Sequence, residues 1–395
     1  MTPLEGTIVL DLSRVLSGPY CTMLLADLGA RVIKIERPGR GDDTRAWGPP
    51  FVGGESAYFL SANRNKESVT LDLKHPAARP VVDRLLARAD VLVENFRPGT
   101  LDAVGLGADA VTAAHPRLIY CSISGFGQSG PRRDEAGYDA VVQAESGLMS
   151  ITGDADGPPF RLGVAIADLA TGMFAAQGIL AALIALGRTG RGQRLDVAML
   201  DAAASLLTYQ AEMFLTAGIT PQRMGNRHPT IVPYETFAAA DGTFVLAVGN
   251  DALFQKLCEV IGRPDLASDP RFATNPSRVE HRDALRPPLA DAFLRWTRRE
   301  LVERLNAAGV PCGSVRSVAE ALADPQLAAR DMIVVVEHPT AGDLRVLGTP
   351  LKLSDTPAVV RTAPPLLGGD TDRVLSGELG FSAEEIAELR AAGAV

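Results

Sequence analysis

Cysteine and histidine are both scarce in this chain of 395 residues. Cys21, Cys121, Cys258 and Cys312 lie far apart, and no Cys-x-x-Cys pair is present. This usage predicts reduced, unpaired thiols in a cytoplasmic protein rather than a disulfide scaffold. The five histidines are also scattered, without His-Glu-x-x-His or another paired spacing, so we predict no metal site.

Runs of basic residues are missing as well. The chain has 39 Lys and Arg against 47 Asp and Glu, a net charge of −8, and no interleaving of basic and aromatic residues. Nucleic acid is therefore not expected as the main partner. No charged segment precedes the first strand-like run, so we expect no signal peptide. The length allows two or three domains with ample core.

One long apolar stretch, from Leu169 to Leu186, contains only Thr171 and Gln177 as polar residues. Asp168 immediately precedes it, and a carboxylate is stabilised near a helix N-terminus. The residues alone leave three interpretations open. The stretch is near the minimum length for a membrane span, or it is a buried core helix with a structural Asp168, or the helix holds a reactive carboxylate at the mouth of a pocket.

The first half of the chain alternates short apolar runs with helical patterns. Thr7–Leu12, a helix from Gly18 to Leu28, and Arg31–Glu36 form a βαβ unit, which implies a parallel sheet. Further predicted strands are Ser68–Leu73, Val91–Glu94, Leu118–Ser124 and Arg194–Leu200, and helices are predicted at Pro76–Arg88 and Leu101–Ala114. The predicted fold class is α/β.

Three cations follow predicted strands, where parallel strands deliver their loops to one edge of the sheet. Arg37, Lys74 and Arg97 lie in or near these loops, and ligands of open α/β sheets bind at that edge. Together they could bind a phosphorylated nucleotide tail. The alternative is that each is a solvated surface charge.

The segment Gly125–Gly130 fits the pattern Gly-x-Gly-x-x-Gly and follows a predicted strand. Pro131 and a charged stretch come directly after it, where a dinucleotide site requires a helix N-terminus. We therefore do not expect NAD binding.

The second half of the chain has a different organisation. Gln222–Tyr234 is an irregular segment typical of a boundary, and two β-like runs around Ala240–Gly242 predict a hairpin. Helical patterns follow at Leu253–Ile261, Arg278–Ala292 and Arg299–Ala308, so a smaller α+β domain is predicted here. A strand pair is predicted at Ile333–His338 and Leu344–Val346, with a final helix at Glu384–Ala392 capped by Ser382. The predicted division is 1–205 as the first part of a large domain, 206–225 as a linker, 226–325 as the small domain, and 326–395 as the return to the large domain.

Several long motifs, in order along essentially the whole chain, resemble the class III CoA-transferases, a family that also includes α-methylacyl-CoA racemases. They include VLDLSRVLSGPYCTMLLADLGARVIKIERPGRGDDTR, NRNKESVTLDLK, ENFRPG, SGFGQSGP, ADLATGMFAAQGILAALIALGRTGRGQRLDVAMLDA and GNRHPTIVPY. The resemblance implies a Rossmann-like large domain built from both chain ends, a small α+β middle domain, and two subunits interlocked in a homodimer. It implies no permanently bound cofactor, because the CoA thioester is itself a substrate.

The resemblance also implies functional residues. Asp168 would be the nucleophile that passes CoA from an acyl-CoA to a carboxylic acid acceptor through aspartyl anhydride and aspartyl-CoA thioester intermediates. Residues implied to bind CoA are Leu16, Ser17, Arg37, Leu71, Asp72, Leu73, Lys74, Asn95, Phe96, Arg97, Gly137 and Tyr138. Short dicarboxylates such as succinate are the expected acids. Separately from the resemblance, Arg161, Arg227 and His228 are candidate contacts to carboxylate or phosphate, and the alternative, which is favoured for each of them, is a structural role.

Some positions depart from family patterns. Members that act on formyl-CoA and oxalate carry Gln where Leu16 stands, and they have a glycine-rich insertion absent here, which argues against oxalate as acceptor. Ala103 replaces an Arg found in some members, so one contact to CoA would be missing or supplied elsewhere. Racemases have His where this chain has Tyr138, and Tyr is a poor base at neutral pH. Transfer is therefore favoured over racemisation, and a non-catalytic CoA-binding protein remains the alternative of another class.

Overall fold

The α/β class predicted from the sequence is confirmed by a computed structural model, which describes residues 1–395. The strands, in chain order, are β1 (Ile8–Asp11), β2 (Arg31–Glu36), β3 (Phe51–Val52), β4 (Glu55–Ser56), β5 (Lys66–Thr70), β6 (Val91–Glu94), β7 (Ile119–Ser124), β8 (Arg194–Ala198), β9 (Tyr234–Ala239), β10 (Gly242–Ala247), β11 (Cys312–Ser314), β12 (Ile333–His338) and β13 (Gly342–Leu347).

The α-helices vary from single turns to one helix of 24 residues. In chain order they are α1 (Ser17–Asp27), α2 (Ala57–Ala62), α3 (Arg79–Leu86), α4 (Ala108–Ala114), α5 (Asp139–Glu145), α6 (Ile166–Thr189), α7 (Met199–Ser205), α8 (Thr208–Ala217), α9 (Asp251–Val260), α10 (Pro264–Ser268), α11 (Asn275–Glu280), α12 (Arg282–Phe293), α13 (Arg298–Ala307), α14 (Val318–Leu322), α15 (Pro325–Ala329), α16 (Thr371–Gly377) and α17 (Ala383–Ala391).

The central sheet has six parallel strands in the order β5-β2-β1-β6-β7-β8. From β1 the chain first builds outward through β2 to β5, and then returns to β6 on the other side of β1. The direction of building thus reverses between β1 and β6. In open α/β sheets a ligand crevice lies at this reversal, outside the carboxyl ends of the strands.

Apolar residues cover both faces of this sheet, as parallel strands require. On one face, Val9, Val93 and Ile123 pack with the core of α1 and α6. On the other face, Leu10 and Leu92 pack against side chains of α3, α16 and α17. Because both faces of the sheet are buried, a ligand can reach the sheet only at its edge, where the loops that follow the carboxyl ends of the strands lie.

Helix α6 is long and apolar enough to cross a membrane by length and composition. In the structure it packs against α1, and Ala175, Ala176 and Ile179 lie in the core that it shares with the sheet. The small residues allow the two helices to approach closely. Core packing therefore accounts for one face of this apolar helix, whereas Met173, Phe174 and Ile184 remain exposed.

The chain forms two compact units. The first consists of Met1–Leu148, Arg161–Tyr209 and Pro325–Val395, and the second of Met149–Phe160 and Gln210–Asp324. The first unit contains the parallel sheet and the β12–β13 pair. In the second, the antiparallel sheet β11-β10-β9 packs with α9, α12 and α13 around Phe244 and Phe293. Residues 149–160 belong to the second unit, whereas the predicted division placed them before residue 206 in the large domain.

Several element limits differ from the sequence predictions. The helix predicted at Leu101–Ala114 is a short 3₁₀ turn and then α4, separated at Gly105, whose φ of 70° ends the first piece. The helix predicted at Arg278–Ala292 is divided between α11 and α12 at His281. The Ser382 cap of the last helix is confirmed, since its side chain accepts the main-chain N–H of Glu385.

Candidate active site

Asp168 lies in the first turn of α6, and the first turn of α1 approaches it from the side. The Ser17 main-chain N–H and hydroxyl both hydrogen-bond to the Asp168 carboxylate. Since Ser17 is the first residue of α1, two helix N-termini converge on one carboxylate. Unpaired N–H groups and the positive end of the helix dipole stabilise negative charge at such a position.

A second carboxylate fixes the start of α6. Asp139 Oδ1 accepts the main-chain N–H of Ala167 at 2.9 Å, and Asp139 Oδ2 accepts from Gln143 at 2.7 Å. The helix has no side-chain cap of its own, so Asp139 supplies the missing acceptor from α5. This contact brings a negative charge close to Asp168.

Burial and the nearby Asp139 carboxylate raise the pKa of Asp168 to about 7, against the lowering effect of the two hydrogen bonds from Ser17. The carboxyl therefore titrates close to neutral pH. A carboxylate poised in this way is poorly solvated and more reactive as a nucleophile than an exposed one. Perturbed titration in a cleft is a feature of functional sites.

The carboxylate opens into a cavity of about 190 Å³ at the reversal point of the sheet. Its walls come from the loops after β1, β6 and β7 and from the start of α6. Of the residues predicted from the sequence, the lining includes Asp168, Ser17, Asn95, Phe96, Arg97, Gly137 and Tyr138. Tyr138 is 67% exposed and so stands at the entrance rather than in the wall.

A second cavity, of about 90 Å³, lies beside the first at the ends of β2 and β5. The predicted residues in its lining are Arg37, Leu71, Asp72, Leu73, Lys74 and Phe96. Arg14, Asp43 and Phe96 line both cavities. The two spaces are thus adjacent and share a wall, which gives an elongated site with Asp168 at one end.

Two of the residues predicted to bind CoA do not offer a free group to a ligand. Leu16 is buried and lines neither cavity. The Asn95 amide is used within the protein, because its oxygen accepts the main-chain N–H of Arg14 at 2.8 Å and its nitrogen donates to the Arg14 carbonyl at 2.7 Å. Asn95 therefore joins the β1 and β6 loops.

Arg14, which sequence reasoning missed, is a prominent cation of this site. Its guanidinium is 3.2 Å from Asp43 and lies over the Phe96 ring, while its buried Nε has no partner. A buried donor without an acceptor is costly, and an anionic ligand would satisfy it. The signal was available, since Arg14 follows β1 as Arg37 follows β2.

Tyr58 and Asp139 were also missed. Burial, followed by the charges of Asp168 and Asp139, raises the pKa of Tyr58 to about 12, so the phenol stays protonated beside the carboxylates. Its ring packs edge-on against Trp47, with ring centroids 5.2 Å apart. No spacing in the sequence links these residues to Asp168, because only the tertiary fold brings them together.

The three further candidates for carboxylate or phosphate contacts occupy separate places. Arg161 is exposed at the start of its segment in the first unit. Arg227 and His228 belong to the second unit, where Arg227 lines a polar cavity of about 420 Å³ with Glu235 and Arg286. His228 packs against the Tyr234 ring.

A family model described as CoA-transferase family III matches residues 4–371. The chain belongs to CoA-transferase family III. The resemblance seen in the sequence motifs is thereby confirmed, and the chain is an enzyme that transfers CoA.

This family III CoA-transferase is 45% identical over 380 residues to the succinate–glutarate CoA-transferase of Agrobacterium fabrum, with 95% of each chain covered. It is also 45% identical over 367 residues to the acetyl-CoA:oxalate CoA-transferase of Acetobacter aceti, covering 92% of this chain and 93% of that one. A crystal structure of a CAIB/BAIF family protein from Brucella suis matches with a TM-score of 0.86 at 43% identity, covering 95% of this chain and 99% of that one.

Proposed function

We propose that this CoA-transferase moves CoA between carboxylic acids with Asp168 as the nucleophile. The observation that carries the proposal is the Asp168 carboxylate itself, which is partly buried, is hydrogen-bonded by Ser17, and opens into a cavity beside a second one that is lined by Arg37 and Lys74. An activated acyl group has to be preserved during exchange. A carboxylate can do this because it forms an anhydride with the acyl group and a thioester with CoA.

The proposed steps balance without water or a redox partner. An Asp168 oxygen attacks the donor thioester carbonyl and the C–S bond breaks. The products are CoA thiolate and an acyl-aspartyl anhydride. The thiolate then attacks the Asp168 carbonyl and releases the donor acid, which leaves an aspartyl-CoA thioester. The acceptor carboxylate repeats these steps in reverse, so Asp168 is regenerated and the acceptor departs as acyl-CoA.

Water would hydrolyse both intermediates, so it has to be kept from Asp168. Packing of α6 against α1 closes one side of the carboxylate, and Met199 and Ile123 contribute apolar surface to the cavity. The N–H and hydroxyl of Ser17 meet the carboxylate oxygens directly. They are the donors available to stabilise charge on oxygen while the Asp168 carbonyl is attacked.

We assign the phosphorylated part of CoA to the second cavity and its rim. Arg14, Arg37, Lys74 and Arg97 lie along the two cavities, and arginine and lysine side chains bind phosphate by charge-assisted hydrogen bonds. The thioester end would then extend to Asp168. The walls of this path include Ser17, Leu71, Asp72, Leu73, Asn95, Phe96 and Gly137. Tyr138 lies at its entrance, and the buried Leu16 lies behind it.

Replacing Arg37 and Lys74 by Ala tests this assignment. Both side chains are exposed at the rim, so losing each phosphate contact is expected to raise the KM for acyl-CoA about tenfold, or ~1.4 kcal/mol, with little change in kcat. Arg117→Ala is the matched control, because Arg117 is an exposed arginine that precedes β7 at the opposite edge of the sheet. Unchanged KM values in both rim variants would contradict the assignment.

For the acids, we propose short dicarboxylates, with succinyl-CoA as a donor. The support is the name of the relative from Agrobacterium fabrum, a succinate–glutarate CoA-transferase over 95% of both chains. Leu16 had argued against oxalate, but a relative of equal identity is an acetyl-CoA:oxalate CoA-transferase. Oxalate therefore belongs in the acceptor panel with succinate and glutarate.

We further propose a homodimer that acts in the cytoplasm. Helix α6 leaves an apolar face in contact with solvent, where Met173, Phe174 and Ile184 are 49%, 40% and 61% exposed. Exposed apolar patches mark association surfaces. The interlocked arrangement of the subunits stays a prediction from the family resemblance.

Covalent trapping tests the mechanism. The protein is incubated with succinyl-CoA, treated with borohydride or hydroxylamine, and analysed by intact mass and peptide mapping. We expect a CoA thioester adduct, or the matching reduced or hydroxamate product, at Asp168. No adduct at Asp168 would overturn its role as the nucleophile, and exchange of the α-proton of a branched acyl-CoA in heavy water would indicate proton abstraction instead.

A further inference from the structure

The turn between β1 and α1 contains a strained residue. Val15 has φ of 68°, a left-handed conformation that a β-branched residue adopts only under constraint. Ser17, which hydrogen-bonds Asp168, comes two residues later. Something in the surrounding structure has to hold Val15 in place, because the residue would otherwise relax and move Ser17.

Two side chains hold this turn from opposite sides. The Asp42 carboxylate accepts the main-chain N–H of Val15 at 3.2 Å, and Asn95 binds both the N–H and the carbonyl of the preceding residue, Arg14. Asp42 is the N-cap of a short 3₁₀ turn and also accepts from Thr44. The contacts with Thr44 therefore fix the orientation of the Asp42 carboxylate toward Val15.

A buried cation stands behind Asp42. Lys34 Nζ is 2.9 Å from Asp42 and 2.7 Å from the Ser13 carbonyl, and the Lys34 and Asp42 side chains are both 0% exposed. Lys34 thus binds the first residue of the turn directly and the third through Asp42. Burial alone would raise the pKa of Asp42, but Lys34 and the Thr44 hydrogen bonds lower it to about 2, so the carboxylate stays charged.

An ion pair at this depth is expensive to bury and is often no more stable than apolar residues. Here the pair binds the strained turn that precedes Ser17, the residue that hydrogen-bonds Asp168. We propose that the Lys34–Asp42 pair is a positioning element, which holds Val15 in its left-handed conformation so that the Ser17 N–H and hydroxyl meet the Asp168 carboxylate. The proposal rests on the proposed function, because it takes Asp168 as the nucleophile.

Asp42→Asn tests this role, because the amide keeps the shape but loses the charge that pairs with Lys34. We expect kcat to fall about 10- to 100-fold, as for misplacement of a catalytic group by a fraction of an ångström to an ångström. Lys34 and Asp42 also line the second cavity, so the KM for acyl-CoA is measured separately, and the positioning role requires the loss in kcat whatever the change in KM. Asp27→Asn is the matched control. Asp27 is another buried carboxylate of the first unit and pairs with Arg64 at 2.6 Å, away from the turn. It should lower thermal stability and leave kcat unchanged.

A double-mutant cycle separates positioning from general destabilisation. If Asp42 acts through Ser17, the loss caused by Asp42→Asn should be smaller in the Ser17→Ala background, because the hydroxyl contact that it positions is already gone and only the main-chain N–H of residue 17 remains. Equal losses of kcat in Asp42→Asn and Asp27→Asn, a change in KM alone, or additive effects with Ser17→Ala would each overturn the proposal. Adduct formation on Asp168 in the wild type is measured in parallel. Its absence would refute the proposed function, whereas its presence with an additive cycle refutes only the positioning role.

Discussion

Asp168→Asn is expected to lower CoA transfer by at least about 10³-fold, because Asp168 is the proposed nucleophile and the nucleophile of a covalent mechanism cannot be bypassed. The amide has nearly the same shape as the carboxylate, so the fold should persist. The amide of the variant, however, cannot attack a thioester to form the anhydride, so the CoA thiolate has no anhydride to open. The measurement is the steady-state rate of acyl-CoA formation from succinyl-CoA and an acceptor acid, with intact mass used to confirm that no adduct forms.

The same variant is expected to be more stable than the wild type at high pH. The pKa of Asp168 is raised by burial and by Asp139, to about 7 from 3.8. Between these two values the folded protein binds a proton more readily than the unfolded chain, so stability falls as pH rises. Above pH 7 the ionised, buried carboxylate destabilises the wild type, and Asn removes this cost. We expect a gain of roughly 1–3 kcal/mol at pH 8, which shrinks as pH falls from 7 towards 4.

The control for this prediction is Asp201→Asn. Asp201 also lies in the first turn of a helix, α7, but it is exposed and lines neither cavity. Its variant should keep full activity and show no comparable gain in stability at pH 8. Retention of activity by Asp168→Asn would contradict the nucleophilic role. If the difference in stability between Asp168→Asn and the wild type is the same at pH 8 and at pH 4, the raised pKa of Asp168 is contradicted.

Much of the fold could be predicted from local patterns. Short apolar runs predicted β1, β2, β6 and β7 close to their observed limits, because strands buried on both faces need no polar alternation. Limits failed where a single residue breaks a helix. Gly105 interrupts a run whose apolar spacing continues on both sides, and periodicity does not reveal which glycine takes a left-handed conformation.

The residues of the candidate site also fall into a group that the sequence predicts and a group that it does not. Residues directly after strands were predictable because parallel strands deliver their loops to one edge, and this rule placed Arg37, Lys74 and Arg97 along the two cavities. Asp139, Tyr58 and Lys34 act on the site through contacts between distant segments. Their residue types are ordinary and their spacing carries no signal, so only the packed structure identifies them.

Gly172→Ala is the second prediction with a large expected effect, because Gly172 lies one turn after Asp168 on the same face of α6. A Cβ added at Gly172 would lie 2.7 Å from the Ser17 carbonyl oxygen and 3.2 Å from the Cys21 nitrogen. Both are main-chain atoms of α1, so a side-chain rotation cannot relieve the contact. The N-terminus of α1 has to move away from α6, and Ser17 moves with it.

Two opposing effects decide the stability of this variant. Alanine favours a helix over glycine by about 1 kcal/mol, but an added methyl in a packed contact costs roughly 1–3 kcal/mol. Gly187→Ala isolates the first effect, because Gly187 lies in the same helix with nothing within 4 Å of the added Cβ. We expect Gly187→Ala to raise the free energy of unfolding and to keep kcat. Gly172→Ala should lower the free energy of unfolding and reduce kcat about tenfold or more through the displaced Ser17. If both variants are stabilised and fully active, the close approach of α1 to α6 does not position the nucleophile.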